Sequence, residues 1–263
     1  MQFFLHKRAF LSKFFLFSLT EETVRDILKI LSMEKEDDLQ MKDTSKNRRS
    51  PFHVLFKYIS EAWKTRNTPL KIQTENGSIT VTGYKDSLLP KAEIPSEICG
   101  LPVRAISARA FHQCIFLKEM RILDGTETIG ANAFSTCDQM THLYMEDSVQ
   151  KIGRNAFFEC KNLFCVELSN TLKEIDSRAF YGCVGIRDLR LPDSLESIGE
   201  QAFYGCNKLK SINIPLSLKS LPRSAFEGCT ALDHIYLEKG SYADKVLSDS
   251  EYFSKKLRYI PRI

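Results

Sequence analysis

The 263-residue sequence lacks the short motifs on which most enzyme and metal sites depend. It has no pair of cysteines separated by two residues, no histidine pair at metal-binding spacing, no glycine-rich phosphate loop and no Gly-x-Ser-x-Gly elbow. These absences argue against a zinc site, a nucleotide-binding loop and a serine hydrolase. The sequence therefore favours a function without a metal, a cofactor or a catalytic centre.

Long hydrophobic runs are also missing. A helix that crosses a bilayer needs about 20 apolar residues, and basic residues interrupt the phenylalanines of residues 1–17. The best apolar run, Phe14 to Leu19, is too short for a signal peptide, and no small-residue cleavage site follows it. We expect no transmembrane segment and favour an intracellular location, with a secreted or cell-surface location as the alternative.

The N-terminal part has helical patterns and no other motif. Residues 1–50 are predicted to form a helical extension with a charged linker, and residues 1–17 either pack on neighbouring helices or contact a membrane surface. Residues 51–69 are predicted to form an amphipathic helix, with Ser50 as its cap and Pro51 at its first position. We expect its apolar stripe to dock on the N-terminal end of the domain that follows.

Residues 111–237 repeat every 23 residues without an insertion. Each unit places phenylalanine after alanine and cysteine three residues later. The repeated phenylalanines are Phe111, Phe134, Phe157, Phe180, Phe203 and Phe226, and the cysteines are Cys114, Cys137, Cys160, Cys183, Cys206 and Cys229. Three further apolar columns follow in every unit. A fixed period of this length predicts stacked coils, because one coil cannot bury its own apolar face.

The unit x-I-G-x-x-A-F-x-x-C-x-x-L-x-x-I-x-L-P resembles the BspA-like leucine-rich repeats, and residues 198–215 show it clearly. The resemblance implies a right-handed solenoid over residues 70–263, with short parallel strands on one face and short helical or irregular turns on the other. It also implies a binding or adhesion role and supplies no catalytic residue.

Both ends of the repeat region carry features of caps. The alternation in residues 70–84 around Asn76-Gly77 predicts a hairpin, and residues 94–111 match the repeat with five extra residues. After Leu237 we predict a helix with Ser241 as its N-cap, covering the last coil with Tyr242, Val246 and Leu247, and then an edge strand at residues 257–260.

The repeated glycine position and the cysteines allow two further predictions. One position of the repeat carries glycine at Gly130, Gly153 and Gly199, and the same position carries Asp176 and Pro222 in two other units. Proline cannot adopt a positive φ. We therefore expect these glycines to permit close backbone approach. The cysteines lie beside apolar columns, and parallel stacking points their side chains the same way, so we predict buried free thiols.

The outward positions of the predicted strands form two columns that vary while the core columns do not. One column is Arg121, Tyr144, Glu167, Arg190, Asn213 and Tyr236, and the other is Glu119, His142, Cys165, Asp188, Ser211 and His234. The simpler interpretation is a solvated surface on which Glu167 pairs with Arg190. The alternative is a partner-binding face anchored by tyrosine and arginine, which dominate binding hot spots.

His142, Cys165 and Asp188 are consecutive in one outward column, so we considered catalysis. A nucleophilic triad needs its base between the nucleophile and the acid, whereas here cysteine is in the middle. Such a row also does not surround a tetrahedral zinc ion.

We therefore predict a non-enzymatic, monomeric module that binds a protein ligand, with an adhesin for host or neighbouring cells as the alternative. Residues 1–69 carry the net charge of +4 and residues 70–263 are neutral, so we expect no nucleic-acid partner.

Overall fold

The structure is a computed structural model that describes residues 69–85 and 88–260. The predicted helical extension and linker of residues 1–50 and the amphipathic helix of residues 51–69 fall almost entirely outside the described residues. The strands are β1 (Leu70–Glu75), β2 (Ser78–Tyr84), β3 (Lys91–Ile94), β4 (Glu97–Ile98), β5 (Leu101–Ile106), β6 (Glu119–Ile122), β7 (Thr128–Ile129), β8 (His142–Met145), β9 (Lys151–Ile152), β10 (Cys165–Glu167), β11 (Glu174–Ile175), β12 (Asp188–Arg190), β13 (Ser197–Ile198), β14 (Ser211–Asn213), β15 (His234–Glu238) and β16 (Leu257–Ile260). The helices are a 3-10 helix (Arg223–Phe226), α1 (Tyr242–Ser248) and α2 (Glu251–Ser254).

These strands build the predicted solenoid, because each repeat pairs in parallel with the next at a spacing of 23 residues. Met120 lies opposite Leu143, and Leu143 opposite Val166, so members of one apolar column occupy equivalent positions in successive coils. The strands β3, β6, β8 and β10 form one part of the strand-lined face, and β12, β14, β15 and β16 form the other.

A second parallel sheet runs along the solenoid, and the sequence analysis did not predict it. Strands β5, β7, β9, β11 and β13 pair in order, and Ser197 and Ser220 extend the row by one bridge. Most of these strands are two residues long. The turns between the two sheets contain little helix, so "irregular" describes them better than "helical" in all coils but the last.

The repeated phenylalanines form one continuous buried row. Their ring centroids are 5.0 to 5.6 Å apart and their planes differ by at most 12°. Each ring is 0 to 1% exposed. The row therefore crosses every coil of the repeat, as the 23-residue period predicts.

The cysteine column lies beside this row, and none of the eight cysteines forms a disulfide. Cys137, Cys160 and Cys183 donate their thiols to the carbonyl oxygens of Phe111, Phe134 and Phe157 at 3.1 Å. Burial raises the pKa of the Cys183 thiol, so it stays protonated and able to donate. These thiols are therefore hydrogen-bond donors between coils, not only small apolar side chains. The first member of the column, Cys114, is half-buried.

The turns use positive φ at positions other than the column of Gly130, Gly153 and Gly199. Asn132, Arg178 and Gln201, two residues before the phenylalanines, have φ of 56 to 58°. Gly130, Gly153 and Gly199 do not have positive φ. A Cβ on Gly199 would lie 2.4 Å from the nitrogen of Ser177, and one on Gly130 would lie 2.5 Å from that of Ala108. Close backbone approach is therefore the reason for these glycines, as predicted.

The N-terminal cap has the predicted hairpin. Strands β1 and β2 pair antiparallel, and both turn residues, Asn76 and Gly77, have positive φ. Strand β2 then pairs in parallel with β5, and the Tyr84 ring lies 5.9 Å from Phe111. The hairpin thus covers the first coil and ends the phenylalanine row.

The C-terminal cap agrees with the prediction in part. Ser241 accepts a hydrogen bond from the Asp244 backbone N–H at the start of α1, and β16 pairs in parallel with β15. The predicted covering role of Tyr242 is wrong, because this side chain is 43% exposed. Leu247 is buried as predicted and Val246 is half-buried, and Ala243 and Phe253 are buried beside them where Tyr242 is not.

Candidate functional site

The strand-lined face carries the two predicted outward columns, but they are interrupted once. Residues of β6, β8 and β10 lie side by side in register, as do those of β12, β14 and β15. In the part of the chain that the structure describes, no register pairs β10 with β12. Three residues before β12, a Cβ on Gly185 would lie 2.6 Å from the Leu163 carbonyl oxygen, so the path of the chain here leaves no room for a side chain.

The interruption divides the predicted site residues into two groups. Arg121, Tyr144, Glu167, Glu119, His142 and Cys165 belong to the N-terminal group, and Arg190, Asn213, Tyr236, Asp188, Ser211 and His234 belong to the C-terminal group. The expected pairing of Glu167 with Arg190 is wrong, because the ion pairs of the described residues do not include it. No strand register places the two residues opposite each other. Val166 is only half-buried here, whereas its neighbours in the column are buried.

Three residues of the N-terminal group and the neighbouring Phe164 form a cluster of one guanidinium and three rings, which we call the ring cluster: Arg121, His142, Tyr144 and Phe164. The His142 ring lies 4.8 Å from Phe164 in an edge-on arrangement and 5.9 Å from Tyr144. The Arg121 guanidinium lies 5.3 Å from the Tyr144 ring centroid. Phe164 is 49% exposed, so the cluster presents apolar ring surface to solvent.

Polar contacts order the surroundings of the ring cluster. The Lys91 ammonium lies 2.7 Å from the Glu119 carboxylate, and this hydrogen bond holds the Glu119 pKa below its usual value. Desolvation and the nearby Cys165 raise the pKa of Tyr144, so its hydroxyl stays neutral. The Cys165 sulfur lies 4.0 Å from that hydroxyl. The Thr141 hydroxyl lies 2.8 Å from His142 Nδ1.

The geometry does not assemble a triad from His142, Cys165 and Asp188. His142 and Cys165 are opposite each other in the β8–β10 register, but Asp188 lies on β12, across the interruption. No group of three or more His, Cys, Asp or Glu side chains within residues 69–85 and 88–260 is placed to hold a metal ion. Helices in the same ranges are too short or too polar to cross a membrane.

The C-terminal group ends in a cleft of about 770 Å³, lined by Asp233, His234, Glu251, Tyr252, Lys255, Lys256 and Arg258. The His234 ring stacks on Tyr236 at 6.0 Å, and Arg258 lies opposite Tyr236 in the β15–β16 register. The cleft therefore continues the predicted outward columns beyond their last member.

Sequence reasoning missed three of these residues. Phe164 occupies a position that is polar in the other repeats, where Lys118, Thr141, Arg187, Lys210 and Asp233 stand. An apolar residue at a polar position of the repeat is the signal that identifies it. Lys256 and Arg258 follow the last repeat, so the period gives no signal for them.

The parallel strands and the 23-residue register define a solenoid of leucine-rich-repeat type. The model of the BspA type leucine-rich repeat region matches six copies, over residues 78–190, 104–233 and 159–258. The chain belongs to this family.

Three solved structures of leucine-rich repeat proteins are similar to the chain. A leucine-rich repeat protein from Bacteroides ovatus is 29% identical with a TM-score of 0.57, covering 65% of this chain and 46% of that chain. A leucine-rich cell surface protein from Faecalibacterium prausnitzii is 24% identical with a TM-score of 0.53, covering 64% and 53%. The leucine-rich repeat protein of T. pallidum is 26% identical with a TM-score of 0.48, covering 64% and 69%. No curated protein sequence matches the chain.

Proposed function

We propose that this protein is a non-enzymatic interaction module that binds a protein partner on its strand-lined face. The observation that carries the proposal is the ring cluster. Arginine and aromatic residues dominate binding hot spots, and here Arg121 and Tyr144 of the outward columns lie close to Phe164, the residue before β10. The family supports the same role, because its repeats supply an extended surface.

The exposure of Phe164 favours a partner over a merely solvated surface. A single exposed apolar side chain is common on soluble proteins, but this one is held against His142, which is itself held by Thr141 and stacked near Tyr144. Side chains that are already ordered lose less conformational entropy when a partner binds. The cluster is thus suited to anchor an interface.

The test is affinity capture from the native organism with the full chain and with the double variant Tyr144→Ala, Phe164→Ala. We expect the double variant to lose about tenfold or more of its affinity for a captured protein, since two hot-spot side chains are removed. The far-ultraviolet circular dichroism and melting temperature of the variant should match those of the parent, because neither side chain belongs to the buried core.

The matched control is the double variant Ile115→Ala, Tyr242→Ala. These side chains are 52% and 43% exposed and lie outside the ring cluster, so their loss should leave capture unchanged. Equal capture by the ring-cluster variant and the parent would remove this face as the binding site.

A further inference from the structure

The cleft at the C-terminal end of the strand-lined face has side chains that are fixed in place by the backbone. The Tyr252 hydroxyl donates to the Cys229 carbonyl at 3.2 Å, and the Arg258 guanidinium donates to the Leu257 carbonyl at 2.9 Å. The Lys256 ammonium donates to the Leu232 carbonyl and lies 4.3 Å from the Tyr252 ring centroid. Three side chains that line the cleft therefore have backbone hydrogen-bond partners in the folded chain.

The charges of the cleft are unequal. Glu251 is already paired with Lys255 at 3.2 Å. Within the described residues, none of the ion pairs includes Lys256, Arg258 or Asp233. The cleft therefore contains two cations, Lys256 and Arg258, and one carboxylate, Asp233, outside these ion pairs, which is an excess of one positive charge. The aromatic ring of Tyr252 also lines the cleft.

We propose that this cleft binds an acidic peptide segment of a protein partner, with a glutamate or aspartate carboxylate held by Arg258 and Lys256. Charge-assisted hydrogen bonds from arginine to carboxylate are among the strongest that a protein makes. Tyr252, 46% exposed, supplies apolar contact for the peptide chain. The inference rests on the proposed interaction role of the face and adds the chemistry that its C-terminal end recognises.

Both cations already have a backbone partner, since Lys256 donates to the Leu232 carbonyl and Arg258 to the Leu257 carbonyl. A lysine or arginine side chain loses conformational entropy when it is immobilised at an interface, and these contacts reduce that loss. Arg258 uses Nη1 for its contacts with the Lys255 and Leu257 carbonyl oxygens. Its other N–H groups remain available for a carboxylate, since a guanidinium has five donors.

The experiment uses the full chain and a fluorescein-labelled octapeptide of alternating glutamate and glycine, followed by fluorescence anisotropy. A matched peptide with glutamine in place of glutamate tests the charge. We expect saturable binding of the glutamate peptide that weakens as salt rises. The double variant Lys256→Gln, Arg258→Gln should raise the dissociation constant about tenfold or more. The single variant Arg258→Gln should also raise the dissociation constant, and it keeps the hydrogen bond from Lys256 to the Leu232 carbonyl.

The control variant Lys118→Gln, Lys173→Gln removes the same charge away from the cleft and should leave peptide binding unchanged. The inference is wrong if the glutamate peptide does not saturate, if the glutamine peptide binds equally well, or if the control weakens binding as much as the cleft variant. The variant Tyr144→Ala, Phe164→Ala should retain peptide binding. Capture that still depends on the ring cluster while the peptide fails to bind would therefore refute the cleft alone.

Discussion

At the scale of single residues, the phenylalanine row accounts for much of the core. Phe180 is 0% exposed and stacks on Phe157 at 5.1 Å and on Phe203 at 5.4 Å. Tyr181, the next residue, is half-buried and stacks on Phe158 at 5.0 Å and Tyr204 at 4.8 Å. Both are aromatic and both stack, so they differ chiefly in burial.

Phe180→Ala should lower the free energy of unfolding by about 3–5 kcal/mol, because it leaves a cavity between two buried rings. Chemical denaturation followed by circular dichroism measures this loss.

Tyr181→Ala is the matched control for that substitution. It removes two ring contacts worth about 0.5–1.5 kcal/mol each from a half-buried site and makes no closed cavity. Equal losses of unfolding free energy for the two variants would show that burial does not determine the cost of removing a stacked ring.

The residues whose burial could be predicted from the sequence are those that recur with the 23-residue period. The phenylalanine and cysteine columns recur in every unit, so their burial followed from the sequence alone. The thiol hydrogen bonds, such as Cys183 to Phe157, did not, because a cysteine in an apolar column gives no sign of which carbonyl lies beside it. Phe164 was missed because it does not recur: the equivalent positions of the other repeats carry polar residues.

At the scale of the element, the turn before each phenylalanine decides how closely coils approach. The Gly199 position shows this, since a Cβ there would lie 2.4 Å from the Ser177 nitrogen and 2.7 Å from the Asp176 carbonyl carbon. In the last coil Pro222 occupies the same place with φ of −74°, and a 3-10 helix follows it. The last turn therefore accommodates a side chain at this position, as does the coil that carries Asp176 there.

Gly199→Ala should destabilise the protein by about 1–3 kcal/mol, because backbone atoms and not a flexible side chain must move. Urea denaturation is the measurement, with Pro222→Ala as the control. Alanine keeps the Cβ already present at residue 222, so the control should change stability by at most about 1 kcal/mol. A neutral Gly199→Ala would mean that the close approach is not required.

Two features at this scale were beyond the sequence pattern. The second parallel sheet consists of strands such as β9 and β11, which are two residues long, and alternation over two residues cannot be distinguished from a turn. The strand register is interrupted between β10 and β12, but the 23-residue period of the sequence continues through this point and does not reveal it. The sequence differs here only at Gly185, where the other repeats carry side chains, and one glycine does not predict an interrupted register.

At the scale of the whole molecule, the repeat separates stability from recognition. Core columns repeat because each coil packs on a copy of itself, whereas the outward positions are free to differ. The described face then offers an aromatic cluster on the N-terminal sheet and a cationic cleft on the C-terminal sheet. A partner that spans both would contact the two parts at once and gain from their linkage.

The most direct test of this account is photo-crosslinking from the two sides of the solenoid. A benzoyl-phenylalanine replaces Glu167, which lies beside Tyr144 on the strand-lined face, in one variant and Arg154, in the turn after β9, in another; both native side chains are exposed. After irradiation with the captured partner, mass spectrometry identifies the crosslinked product. The account predicts crosslinks from position 167 and none from position 154, and crosslinks only from position 154 would contradict it.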